Sequence, residues 1–269
     1  MSHSDTKTYS FWDHLEVLRW MLIRIALIII VIGTLAFVYH DFIFTGIIFR
    51  PLSPDFGVYK LLSALSHHLN MPSLDPGTFH IRLINFQLSG QFFIHLSVSA
   101  AVAIIVAVPY ILFEVWNFIR PALYPHEIKN VGWVFFFSSF LFYLGAAVCY
   151  FLIFPLTVRF LGTYQVSPLV PNEISIQSYF NALTVLVICM GLMFELPVIA
   201  FFLSKLGILH RSLLKKGRKY AFVAILIIAA LITPTTDPFT MLLVALPVYL
   251  LYECSILVTA KKKEEEDPE

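Results

Sequence analysis

Six apolar runs, most of them close to the thickness of a bilayer's hydrocarbon core, leave this chain few ways to fold. They extend roughly over Trp20–Tyr39, Phe92–Phe113, Val131–Pro155, Tyr179–Lys205, Tyr220–Ile232 and Phe239–Val258. A helix rises 1.5 Å per residue, so about 20 residues cross about 30 Å of hydrocarbon. In that solvent the backbone must satisfy its own hydrogen bonds, and each run is predicted to be a helix. Composition agrees: 59% of residues are apolar and 13% charged, where a soluble domain has about a quarter charged. A net charge of +1 gives no basic surface for nucleic acid. Cys149, Cys189 and Cys254 lie within apolar runs without metal-ligand spacing, and read as small buried hydrophobes. The N-terminus has no small-residue cleavage site ahead of its first apolar run, so no removable signal peptide is expected.

An even number of spans puts both termini on one side, and lysine and arginine decide which side. Lys205, Arg211, Lys215, Lys216, Arg218 and Lys219 follow the fourth run, and Lys261, Lys262 and Lys263 follow the sixth. Lys7, Arg19, Arg120 and Lys129 share that side, against Arg50, Lys60, Arg82 and Arg159 on the other. The positive-inside rule puts both termini in the cytoplasm. The last two spans are expected to be short. Tyr220–Ile232 covers only about 20 Å, and the sixth run is interrupted by Pro247 and meets Glu253 before its end. No internal repeat of the inverted-transporter kind is present.

The outer connection His40–Gly90 is too long to be a bare loop and is expected to pack as a cap. It carries a helix around Tyr59–Leu69, a turn at Asp75-Pro76-Gly77, and an alternating stretch from Phe79 to Leu83. Pro155–Gln177 forms a second outer cap. The chain is thus read as one membrane domain over 1–269. Residues 1–19 form a cytoplasmic amphipathic segment, and 261–269 a disordered charged tail.

Glu195 stands alone inside the fourth run, in Phe194-Glu195-Leu196-Pro197. A charged side chain there costs roughly 2.5–3.5 kcal/mol on insertion scales, and Pro197 frees a carbonyl one turn back. A polar site for a substrate or partner is favoured over an acid paired to a neighbouring helix for packing alone. At the N-terminus Ser10 to Asp13 has capping-box spacing. Phe11, Trp12, Leu15, Leu18 and Leu22 share a face, and Glu16 is placed to pair with Arg19 at i,i+3. Glu114 to Glu127 reads as a compact, aromatic, Pro-bounded connection suited to docking. Glu127 either caps the third helix or binds a ligand. His67, His68 and His80 are read as surface residues. No zinc-protease helix, nucleophile elbow or P-loop occurs, so an enzyme is not expected.

The order of these pieces resembles the TatC family, the multispan receptor subunit of the twin-arginine protein translocase. The matching landmarks are His14-Leu15-Glu16-Val17-Leu18-Arg19, Arg50-Pro51-Leu52, and Val115-Trp116 through Arg120-Pro121-Ala122-Leu123-Tyr124 to His126-Glu127. They continue with Phe194-Glu195-Leu196-Pro197, Thr233-Pro234 with Asp237, Leu246-Pro247, and Tyr252-Glu253. The resemblance implies an all-α integral membrane protein: a glove-like, concave bundle of six transmembrane helices, the last two short, with outer loop caps. It implies a non-enzymatic, cofactor-free receptor for signal peptides carrying consecutive arginines. Folded proteins would be exported across the bacterial cytoplasmic (inner) membrane on the proton-motive force. TatA- and TatB-type single-span subunits, further copies of the chain, signal peptides and lipid would be its partners.

Carried over by position, Glu127 is the loop acid that contacts arginine, with Glu16, Arg19, Phe118, Tyr124 and His126 around the peptide. Glu195 and Met241 become intramembrane partner contacts, and Pro51 and Asp237 loop positions. Two departures stand out. The family's His-Leu-x-Glu-Leu-Arg places its acid where this chain has Val17, with Glu16 one residue and about 100° away. Met241 stands where many relatives carry a polar Gln. A different class of reading makes the chain a proton- or ion-coupled small-solute transporter that titrates Glu195 and Asp237.

Overall fold

A computed structural model of the chain describes residues 11–69, 79, 81–119, 131–167, 169, 172–233 and 237–259. The chain opens with α1 (Phe11–Val38) and α2 (His40–Ile43). A π-helical turn (Phe44–Ile48) and a 3-10 turn (Arg50–Leu52) lead to α3 (Gly57–Leu69) and β1 (Arg82–Ile84). Next come α4 (Gly90–Ile119), α5 (Val131–Val148), a second π-helical turn (Cys149–Ile153), α6 (Phe154–Thr163) and β2 (Glu173–Ser175). The remainder is α7 (Ile176–Met193), α8 (Leu196–Lys205), α9 (Arg211–Lys216), α10 (Arg218–Ile232) and α11 (Pro238–Val258).

Five helical stretches are long and apolar enough to cross a membrane: Leu15–Val38, Gly90–Phe118, Phe135–Thr163, Ile176–Lys205 and Pro238–Val258. The fifth predicted run forms α10, which at 15 residues falls short of that length, and α11 has 21, so the last two helices of the row are the shortest. The principal packing runs α1 on α4, α4 on α5 and α7, α5 on α7, α8 on α11, and α11 on α10. This is an open row with α1 at one edge, and it fits a concave bundle. The main core fills the middle of the row, with Cys149, Ile153, Phe154, Leu186, Met190 and Val244 almost fully enclosed.

Several expected boundaries move. α4 runs on through Glu114 to Ile119, so the first part of the predicted connection is helix. The third span passes Pro155 and ends at Thr163. The π-helical turn shifts the hydrogen-bond ladder just before Pro155, which then sits in the first turn of α6, where its missing N–H costs little. α11 continues through Pro247 instead of breaking there, packed against α8 and α10. Cys149 is buried and Cys189 partly so, but Cys254 is exposed on α11, contrary to expectation. His67 and His68 are exposed. His80, the turn at 75–77 and the 261–269 tail lie outside the described residues.

The two outer connections are one cap. β1 and β2 pair in parallel, with Arg82 opposite Glu173, Leu83 opposite Ile174 and Ile84 opposite Ser175. The all-α expectation therefore misses this short sheet. The π-helical and 3-10 turns leave carbonyls outside an ordinary α ladder, and tyrosine hydroxyls take them. Tyr179 donates to Ile48 O at 2.7 Å, and Tyr150 to Ile47 O at 2.6 Å. The Tyr59 hydroxyl lies 2.8 Å from Pro155 O and 3.1 Å from Pro51 O. Burial pushes the Tyr59 phenol up from its ordinary value, opposed by the Arg159 charge, so it stays a donor. Pro51 itself is fully buried.

Inside the bundle, α5 and α7 meet through glycine. A Cβ at Gly145 would lie 2.7 Å from Met190 O and from the Phe194 ring, and one at Gly191 would lie 2.5 Å from the Phe142 ring. Gly57 at the start of α3 has open space around it. Gly145→Ala should therefore cost about 1–3 kcal/mol through overpacking, while Gly57→Ala stays within about 0.5 kcal/mol. Thermal unfolding of the two purified variants in detergent checks the contrast.

Candidate functional site

Two regions collect polar side chains that a lipid-facing bundle would otherwise avoid. The first is the end of the bundle where α1 begins and α4 ends. Glu16 and Arg19 pair at 3.5 Å, as their i,i+3 spacing leads one to expect. Both are largely exposed, so the pair contributes little to stability. An open hollow of about 360 Å³ lies against this turn, lined by Glu16, Val17, Trp20 and Arg24. Glu16 and Val17 therefore border the same space despite the rotation between them. Trp12, Leu15 and Leu22, on the apolar face of the N-terminal turns, are largely exposed.

Eight residues beyond Glu16, Arg24 reaches across to α4. Its Nε donates to Glu114 Oε1 at 2.9 Å and its Nη2 to Oε2 at 2.7 Å, while the Tyr110 hydroxyl donates to Oε1 at 2.7 Å. The Glu114 side chain is 6% exposed and that of Arg24 48%. Both carboxylate oxygens thus have charge-assisted partners, the arrangement a buried acid requires. Sequence reading missed this pair. Arg24 interrupts the first apolar run as Glu195 interrupts the fourth, and that interruption was the available signal. Glu114 had been placed in the connection and is instead buried in α4.

The second region surrounds Glu195. The α-helical ladder breaks between α7 and α8 at Phe194–Glu195, just ahead of Pro197. Glu195 is 7% exposed and ten residues before Lys205, about 15 Å along a helix. The Ser138 hydroxyl of α5 donates to its Oε2 at 2.5 Å, and Oε1 has no hydrogen-bond partner among the described residues. A buried oxygen with unused acceptor capacity in hydrocarbon is costly, and a helix bringing a hydroxyl or amide donor would relieve that cost.

The remaining predicted residues do not converge on Glu195. Met241 lies in the first turn of α11 and packs partly buried against the main core, near the opposite end of the bundle. Asp237 is the N-cap of α11, its Oδ1 accepting from Thr240 N at 2.7 Å. Phe118 is half-buried in the last turn of α4, close to where the Trp116 ring meets Phe202 of α8 with centroids 4.4 Å apart. Tyr124, His126 and Glu127, like Ser10, lie outside the described residues. An apolar hollow of about 330 Å³ among α4, α5 and α7, lined in part by Val98, Ala101, Tyr143 and Leu183, touches none of the carboxylates. The described residues contain no group of three or more side chains able to hold a metal ion.

A sequence model of the family described as "Sec-independent protein translocase protein (TatC)" matches residues 13–247. The chain belongs to the TatC family. It is 33% identical over 258 residues to the TatC protein of Blattabacterium sp. subsp. Periplaneta americana, covering 94% of this chain and 97% of that one. It is 34% identical over 258 residues to the TatC protein of Aquifex aeolicus, with the same coverage. Two crystal structures of a twin-arginine translocase receptor TatC, one of them in DDM, superpose with TM-scores of 0.68 and 0.73 at 31% identity. They cover 91% of this chain and 97% and 98% of those chains. As a TatC protein the chain is a multi-pass inner-membrane component of the twin-arginine translocase, with a role in protein transport.

The Glu195 geometry separates a structural acid from a functional one. Ser138→Ala should lower stability by about 1 kcal/mol. The double variant Ser138→Ala/Glu195→Leu, which removes both polar partners, should return close to the original stability, because apolar replacement of both partners is nearly neutral. Unfolding temperatures in detergent decide the matter. A deeper loss in the double variant makes Glu195 a packing element.

Proposed function

We propose that this TatC protein is the signal-peptide receptor and core subunit of its translocase, with both termini in the cytoplasm. It captures arginine-pair signal peptides there and, with TatA- and TatB-type single-span partners, passes folded proteins outward on the proton-motive force. The observation that carries this reading is the exposed Glu16 beside an open hollow where α1 begins, close to the end of α4. Glu16 borders an open hollow at the start of α1, and α4 ends eight residues before Glu127. Carboxylates accept guanidinium in a bidentate geometry that an ammonium cannot match, which suits selection of Arg-Arg over Lys-Lys. The orientation rests on the lysines and arginines of α9 and the start of α10, which lie at the same end of the bundle as the start of α1.

In this reading Glu127 is the principal arginine contact, aided by Arg19, Phe118, Tyr124 and His126. Glu16 contributes less, since Arg19 already neutralises it. Glu195 serves the membrane stage, offering its unpartnered oxygen to a partner helix or to the inserted part of a signal peptide. The transporter alternative is weakened by Asp237, whose carboxylate caps α11.

Binding of a fluorescent arginine-pair peptide to the detergent-solubilised protein tests the receptor role. Glu127→Gln should weaken it by about tenfold or more, the equivalent of roughly 1.5–3 kcal/mol for a charge-assisted bond. Glu16→Gln should have a smaller effect. Equal losses would make the N-terminal acid an equal partner, and an unchanged affinity in Glu127→Gln would remove Glu127 from the site. Glu195→Ala should leave peptide affinity intact while reducing transport in a manner offset by more single-span partner. A polar bond between membrane helices averages only about 0.6 kcal/mol, so a graded defect is expected. Normal transport by Glu195→Ala would dismiss the intramembrane contact.

A further inference from the structure

We infer that Arg24, Glu114 and Tyr110 form a clasp that sets the position of the N-terminal helix against α4 and so holds the Glu16–Arg19 side of the arginine-peptide site at a fixed place beside the end of α4. The inference rests on the receptor reading above. Its foundation is the isolation of α1. This helix packs mainly on α4 and otherwise turns apolar side chains outward, among them Leu27, Ile30, Val31 and Leu35. Apolar packing in lipid supplies little hydrophobic drive, because lipid tails cover such side chains equally well. Polar bonds and close backbone approach must therefore set the register.

Both are present, in one antiparallel frame. Near the cap end, His95 Nε2 lies 3.0 Å from Phe37 O. In the middle, small residues face each other, and a Cβ at Gly33 would meet the Ala103 side chain at an ordinary 3.5 Å. Near the termini end, the two Arg24–Glu114 bonds complete the frame. Residues run in opposite directions along the two helices, so Arg19, five residues before Arg24, comes level with Ile119, five residues after Glu114. The Glu16–Arg19 turn is thereby held beside the end of α4, from which the segment bearing Glu127 departs. A bidentate guanidinium–carboxylate pair resists rotation as well as sliding, since both oxygens and both nitrogens are engaged in one plane. The Tyr110 hydroxyl fixes the same carboxylate from its own helix. Arg24 and Glu114 are thus positioning residues, acting through the groups they align.

The test uses the full-length protein in detergent. Binding of an Arg-Arg peptide and of a Lys-Lys control is measured for Arg24→Gln, Glu114→Gln, Arg24→Lys and Tyr110→Phe. In a parallel Cys189→Ala/Cys254→Ala background, spin labels at Leu15 and Asn117 report the distance between α1 and α4. Arg24→Gln and Glu114→Gln should each weaken Arg-Arg binding by about tenfold and broaden the distance distribution. Arg24→Lys, which keeps charge but loses the fork, should fall between them and the unsubstituted protein. Tyr110→Phe should shift both readouts less, in the same direction. Should the two Gln variants fail to fold, Arg24→Lys and Tyr110→Phe decide alone. A purely structural role would lower the unfolding temperature and leave the affinity of the folded protein unchanged. That result, or an unaltered distance, overturns the inference. If the unsubstituted protein binds no Arg-Arg peptide, the receptor reading and the site assignment fall together, and the distances still report whether the pair holds α1.

Discussion

The glycine contacts between α5 and α7 fix much else in the bundle. Gly145 lies against Met190 O and the Phe194 ring, and Gly191 against the Phe142 ring, so neither position has room for a Cβ. Apolar area drives little association in lipid, so small residues that bring helices close are a principal source of cohesion. That contact places Ser138 within hydrogen-bonding distance of Glu195 and puts the α7–α8 break against a fixed wall. The position of the buried acid is thus decided by two positions that carry no side chain at all.

The other helices are held by polar contacts at their ends. Arg218 of α10 binds Glu253 of α11 at 2.6 Å, and the Tyr252 hydroxyl donates to Leu214 O of α9 at 2.7 Å. Glu253, which in the sequence marks an early end to the sixth run, is in the structure the partner that ties the short α10 to its neighbour. The two buried carboxylates within long spans also divide into types. Glu114 has both oxygens satisfied and Glu195 only one, so the first reads as a fastening and the second as an opening for a partner.

The fold was legible in the sequence wherever one physical rule dominated. Apolar run length picked out the five helices long enough to cross a membrane, and the shortness of Tyr220–Ile232 came through as a 15-residue helix. Rules that compete were harder to weigh. Pro155 and Pro247 read as interruptions because proline usually breaks helices. A π-helical turn and neighbouring helices absorb them here, and neither influence is visible in local sequence. The β1–β2 pairing joins segments some 90 residues apart through three residues each, too brief a signal for periodicity. At the candidate site, Glu16, Arg19 and Glu195 could be picked out singly because each is conspicuous in its own segment. The Arg24–Glu114 pair could not, since its meaning lies in a contact between two helices.

The cap has a mechanical side. β1 leads toward α4 and β2 runs directly into α7, so their pairing links the starts of two spans, while Tyr59, Tyr150 and Tyr179 bind the Phe44–Leu52 segment to the third and fourth spans. A set of rods tied more firmly at one end spreads more readily at the other, where here the Arg24–Glu114 and Arg218–Glu253 pairs set the limit. Any widening of this bundle to admit another helix would then act as a pivot about the cap, with displacement growing toward the end that holds the start of α1, the end of α4 and the basic α9. A small rotation at the fulcrum would be amplified at the far end.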